Sequence, residues 1–253
     1  MKHHMRIKTT FLSMIFALGI AALPGTAQAR LSDATIKTQV QHQLMDQKVL
    51  REDNVQVMVE EGVVRLTGTV SNIAEKQRAE KAALGVDEVA RVQNDLTVET
   101  ADLSDQQIAD DVAKQMRSYV FYDVFDWIEG DVQDGAVTLQ GQVREPWRKK
   151  DYQRLAEAVP GVQSVANQIQ VLPLSPFDDQ LRLAAARSIY GDAFFARYAH
   201  RALPPIHIIV ENGKIILEGV VANPLERQLA ETMVRSRVLS LGVVNHLTVD
   251  TET

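Results

Sequence analysis

The sequence predicts an α+β chain of three tandem small αββαβ domains, each a three-stranded sheet covered by two helices. Three observations carry this expectation. Beyond residue 29, glycine pairs six residues apart occur three times, as Gly62 and Gly68, Gly135 and Gly141, and Gly213 and Gly219. A Val-x-Asn-x-Leu/Ile-x-Val run also occurs three times, around Asn94, Asn167 and Asn245, and each asparagine follows the second glycine of its pair by 26 residues. The offsets between copies, 73 and 78, are the same for both landmarks. A unit of about 70 residues therefore repeats.

Residues 1–29 come first. A basic start (MKHHMRIK), an apolar run from Phe11 to Leu23 and the triplet Ala27-Gln28-Ala29 read as a secretory signal peptide, because the run is shorter than the ~20 residues that cross a bilayer. Cleavage after Ala29 removes three basic residues and no acid, which moves the net charge from −6 to −9. No transmembrane segment is expected after cleavage. The chain contains no cysteine, which excludes a lipid-modified cysteine anchor, a disulfide framework and a thiolate nucleophile.

Each unit then opens on a helix. Ser32-Asp33 precedes Ile36, Val40 and Leu44, and Ser104-Asp105 precedes Ile108, Val112 and Met116, placing apolar residues every fourth position behind a cap. The third opening helix is expected over 179–190, with a longer connection through Phe194 and Tyr198 to Leu203-Pro204-Pro205. Strands follow over 55–59, 127–132 and 206–210, each ending in a hairpin turn at Glu61-Gly62, Asp134-Gly135 or Asn212-Gly213. The next strand alternates, with Gly68, Gly141 or Gly219 on its apolar face. Glycine weakens a strand, so close approach of a helix over the sheet is the expected gain, with a bulge as the alternative. Second helices are expected over 73–84, 147–158 and 224–238, before the asparagine-bearing strand. The domain limits read from this pattern are 31–100, 103–173 and 176–251.

The paired glycines, the following helix and the Val-x-Asn-x-Leu-x-Val strand resemble the BON domain family, named for bacterial OsmY and nodulation proteins. The resemblance implies a soluble periplasmic or envelope-associated protein, active in osmotic and envelope stress, that interacts with phospholipid. A chaperone-like or protein-interaction module acting on client proteins is the alternative.

Enzymatic chemistry finds no support in the residues. His42, His200, His207 and His246 sit in separate settings, and Pro204-Pro205 prevents His200 and His207 from sharing a helix, so neither a metal site nor a cofactor is expected and the histidines read as surface or turn residues. Asp105, Asp110, Asp111, Asp178 and Asp179 cluster near helix starts, where capping explains them. The recurrent asparagines read as local backbone hydrogen-bonding residues. Excess negative charge argues against nucleic acid.

A surface asymmetry remains. After residue 29 every aromatic lies at or beyond Tyr119, and the dense run from Tyr119 to Trp127 is too apolar for one strand face to bury. Arg144, Trp147, Arg148, Lys149, Lys150 and Arg154 follow, five basic residues in eleven. Rings interleaved with cations are the composition of an interfacial site for anionic phospholipid or another anionic envelope component. The position eight past the second glycine is basic in every copy, Lys76, Lys149 and Arg227, and reads as either a shared recognition point or helix-surface charge.

Overall fold

In the computed structural model, which describes residues 30–49, 54–99 and 103–250, the first unit runs α1 (Asp33–Asp46), β1 (Val55–Glu60), β2 (Val63–Val70), α2 (Ile73–Leu84) and β3 (Arg91–Val98). The second repeats this as α3 (Asp105–Arg117), β4 (Trp127–Gln133), β5 (Ala136–Val143) and α4 (Pro146–Glu157). Its last strand is divided into β6 (Ser164–Asn167) and β7 (Gln170–Val171). The third comprises α5 (Pro176–Tyr190), a 3-10 turn (Ala193–Phe195), α6 (Ala196–Ala199), β8 (Ile206–Glu211), β9 (Lys214–Val221), α7 (Pro224–Arg237), β10 (Gly242–Asn245) and β11 (Thr248–Val249). The expected signal peptide lies outside the described residues. In each unit the middle strand pairs antiparallel with the strand before it and parallel with the strand after the second helix. The fold is α+β, with three small three-stranded sheets.

Sequence-local chemistry sets the helix starts. Ser32, Ser104 and Ser175 each accept the amide three residues on, satisfying one of the free donors of the first turn. The third opening helix therefore begins at Pro176, three residues earlier than the periodicity suggests, with proline at the first helical position. Apolar stripes from the opening helices meet the sheets. Ile108, Val112 and Met116 pack on Val137, Leu139 and Tyr152, while Leu181, Ala185 and Ile189 pack on Ile208, Ile215 and Leu217. The long connection of the third unit adds Phe195 and Tyr198 to that core, so these two rings are buried and only Phe194 of the group is exposed.

Two polar clips recur. Asp33 accepts the amides of Glu61 and Gly62, Asp105 those of Asp134 and Gly135, and Asp178 those of Asn212 and Gly213. These carboxylates thus serve the hairpin turn, whose two residues both have positive φ, rather than capping their own helix as the sequence suggests. Asn94, Asn167 and Asn245 donate to the carbonyls of Lys76, Lys149 and Arg227 at 2.9 Å each, and accept the amides of Leu96, Ile169 and Leu247. The asparagine ties the final strand to the second helix, and the constant feature at the shared basic position is its backbone carbonyl. We expect Asn167→Ala to cost about 1–2 kcal/mol, read as a lower urea midpoint at unchanged slope.

The second glycine of each pair corrects the sequence reading. Gly68, Gly141 and Gly219 have φ of +117°, +122° and +114°, and an added Cβ would overlap the carbonyl oxygens of Asn54, Trp127 and Pro205. The neighbour that excludes a side chain is the backbone entering the first strand, not a helix crossing the sheet. The pairing runs one-to-one through each glycine, so the positive φ and this close backbone approach, rather than a bulge, are the reason for it.

Candidate functional site: an aromatic and basic surface on the second unit

The helix starts α2 and α7 share a local design. Asn72 and Asn223 cap the helices, while Glu75 and Glu226, both buried, accept the amides of Ser71 and Ala222. In the second unit the corresponding residues are Glu145, which makes no side-chain cap, and Arg148. A carboxylate still meets the equivalent amide, but it comes from outside the helix. Asp126 accepts from Arg144 N at 3.1 Å and also pairs with the Arg148 guanidinium. Asp123 receives Arg148 Nη1 at 3.1 Å and Arg144 Nη2 at 3.0 Å. Asp126 is fully buried and Arg148 is 7% exposed. Burial pushes the Asp126 carboxyl up from its ordinary range, and the hydrogen bond from Arg148 pulls against that shift.

This arrangement divides the predicted patch. Arg148 faces inward, and Arg144 is held by Asp123 with its guanidinium 5.1 Å from the Phe125 ring. Arg154 is exposed and paired with Asp151, which Tyr119 also engages. Lys150 is exposed, Lys149 is half-buried, and no ion pair joins either among the described residues. Trp147, 42% exposed, stands edge-on to Phe121 at 5.0 Å, with Phe121 50% and Val120 83% exposed. Val120, Phe121, Trp147 and Lys150 thus form an apolar tip with a free cation. The tip belongs to the second unit alone, since the positions of Trp147 and Lys150 hold Ala74 and Gln77 in the first and Leu225 and Gln228 in the third.

Of the rest of the run, Trp127 opens β4 and Tyr119 packs on the second unit's own core, while Tyr122 and Phe125 meet the third unit. Residues 119–126 form a loop; Phe125 packs against the third core, and the Ile208 amide donates to the Val124 carbonyl at 2.7 Å. His207, read from the sequence as a surface or turn residue, is 5% exposed in this seam. Its Nδ1 lies 2.6 Å from the Asp126 carbonyl oxygen and must donate to it, which leaves Nε2 to accept from the Tyr122 hydroxyl at 3.2 Å. Burial holds its pKa below the ordinary histidine value. Sequence reasoning missed Asp123, Asp126 and His207. The one available signal was the arginine standing where the other copies carry a glutamate.

Among the described residues no group of three or more histidines, aspartates or glutamates is placed to hold a metal, and no helix is long and apolar enough to cross a membrane.

Comparison with known proteins agrees with the repeat. The BON domain matches residues 32–100, 104–173 and 193–251. Osmotically-inducible protein Y of Escherichia coli (strain K12) is 25% identical over 156 residues, which span 55% of this chain and 73% of that protein. Two solved chains of CdsD, a structural protein of the type III secretion system of Chlamydia trachomatis, are 13% and 14% identical. They align with 87% and 84% of this chain and 100% and 91% of theirs, each with a TM-score of 0.23. Three matches in succession occupy most of the sequence, and the chain belongs to the BON domain family.

Proposed function

We propose that this is a non-enzymatic periplasmic protein of osmotic and envelope stress, exported by cleavage of residues 1–29, that associates with anionic phospholipid at the surface of a membrane. The single observation that carries the membrane reading is the exposed tip of Val120, Phe121 and Trp147 beside the unpaired Lys150. Rings of this kind settle at headgroup depth while a neighbouring ammonium meets lipid phosphate. The stress reading rests on the similarity to the osmotically-inducible protein of Escherichia coli. One binding tip, rather than three equivalent ones, is the mechanism: the first and third units lack both the tryptophan and the lysine.

Co-sedimentation with vesicles tests it. Phosphatidylglycerol-containing vesicles are expected to retain the protein at low salt and release it as salt rises, with neutral phosphatidylcholine vesicles retaining much less. Lys149→Ala with Lys150→Ala should weaken retention by roughly 30-fold, from about 1 kcal/mol per surface lysine. Equal retention on both vesicle types, together with suppressed aggregation of an unfolded client, would replace this reading with the chaperone one.

A further inference from the structure

The strand register places three residues in turn on the helix-facing side of each first strand. The central one is Val57 opposite Leu66 in the first unit, Ile208 opposite Leu217 in the third, and Gly130 opposite Leu139 in the second. Val57 and Ile208 are buried core residues, whereas Gly130 is exposed. The backbone does not require glycine here. Gly130 is not among the positive-φ glycines, and an added Cβ would meet the Leu139 side chain at 3.7 Å and Val112 at 4.0 Å, ordinary contact distances. The missing side chain instead leaves space between α3 and β4.

That space is an open cleft of about 380 Å³, within the range of about 300–1,000 Å³ typical of small-molecule sites. Val112 and Met116 of α3 and Ile128 and Val132 of β4 form its inner wall, and Leu203-Pro204-Pro205 of the third unit form the outer one. Tyr152 replaces the alanines found at the same helix position in the other units, Ala79 and Ala230, but it does not line the cleft, so its ring does not fill the gap. Arg117, at the end of α3, lies at the edge of the cleft, is exposed and has no ion-pair partner among the described residues.

We infer that this cleft binds a single-chain anionic amphiphile of the fatty-acid class, its hydrocarbon chain lying where the first and third units carry valine and isoleucine and its carboxylate meeting Arg117. The site is separate from the Trp147 tip and does not depend on it. The wall is mainly apolar, with the ring edges of Tyr122, Trp127 and His207 as its polar groups and one free guanidinium at its margin, and this composition matches a long alkyl carboxylate better than a sugar, a nucleotide or a metal.

Titration calorimetry of the full chain with dodecanoate below its micelle concentration tests the inference. Saturable one-site binding is expected. Gly130→Ile restores the side chain of the third unit and should weaken binding at least about tenfold while raising Tm, so the loss cannot be ascribed to unfolding. Arg117→Gln should weaken dodecanoate by about three- to tenfold and leave dodecan-1-ol unchanged. The variant lacking Lys149 and Lys150 should bind dodecanoate normally, which separates this site from the membrane surface. Absence of saturable binding, or equal binding by Gly130→Ile, would overturn the site. An Arg117→Gln effect that is the same for acid and alcohol would overturn the assignment of the carboxylate.

Discussion

Asp126→Ala should lower the unfolding free energy by about 3–5 kcal/mol, because it leaves the Arg148 guanidinium buried and short of a counter-charge. The cost exceeds that of an exposed ion pair for two reasons. Arg148 Nε already has no hydrogen-bond partner, so the guanidinium relies on its other nitrogens. The same aspartate also accepts the Arg144 amide at the entry to α4, where no side-chain cap exists. Replacing both Asp126 and Arg148, by Asn and Met, should recover much of the loss, since a buried pair is worth far less than the penalty for leaving one member alone. Chemical denaturation of the two variants checks this; a deficit below about 1 kcal/mol for Asp126→Ala would mean that water reaches Arg148 in the folded chain.

Acid should destabilise the junction between the second and third units. His207 is buried, its Nδ1–H engaged by the Asp126 carbonyl and its Nε2 facing the Tyr122 hydroxyl, with the Asp123 and Asp126 carboxylates as the nearby negative groups and Arg117 on the cleft side. Burial depresses its pKa, so the folded form binds a proton less readily than the unfolded form, whose value is near 6.5. Stability from neutral His207 is therefore complete above about pH 6.5 and falls as pH drops toward the folded-state value. The loss has a limiting slope of about 1.4 kcal/mol per pH unit between the two values and levels off below the folded-state one. Hydrogen exchange at the Ile208 amide, which donates to Val124, should accelerate over this range. His207→Gln, unable to take a proton, should exchange at a rate independent of pH-driven seam opening once the intrinsic chemistry is corrected. A wild-type profile as flat as that of the variant would refute the assignment.

How far the sequence could be read depended on the distance over which each feature is determined. The hairpin turns, the serine caps and the apolar stripes depend on neighbours within a few residues, and their positions could be read directly. Asn94, Asn167 and Asn245 were identifiable as backbone hydrogen-bonding residues, but the partner carbonyl lies 18 residues back on the helix, a relation that spacing alone does not convey. Gly68, Gly141 and Gly219 were located correctly and explained wrongly, because steric exclusion by a neighbouring strand and by a crossing helix leave the same glycine in the sequence. The basic stretch beginning at Arg144 illustrates a further limit. Whether an arginine faces solvent or salt-bridges inward depends on the residues preceding the adjacent strand, here Asp123 and Asp126, some 20 positions upstream. His207 was the least legible, since its partners lie more than 80 residues away in another unit.

The contact between Val124 and Ile208 also bears on how the chain avoids self-association. Ile206-His207-Ile208-Ile209-Val210 is an outer strand, uncharged and buried throughout, of the composition that stacks readily with copies of itself when an edge is left open. The loop after α3 places its own carbonyl on that edge at Ile208. A loosened junction would therefore release a sticky strand as well as a flexible joint, and at high concentration aggregation would begin in the third unit while the first was still folded.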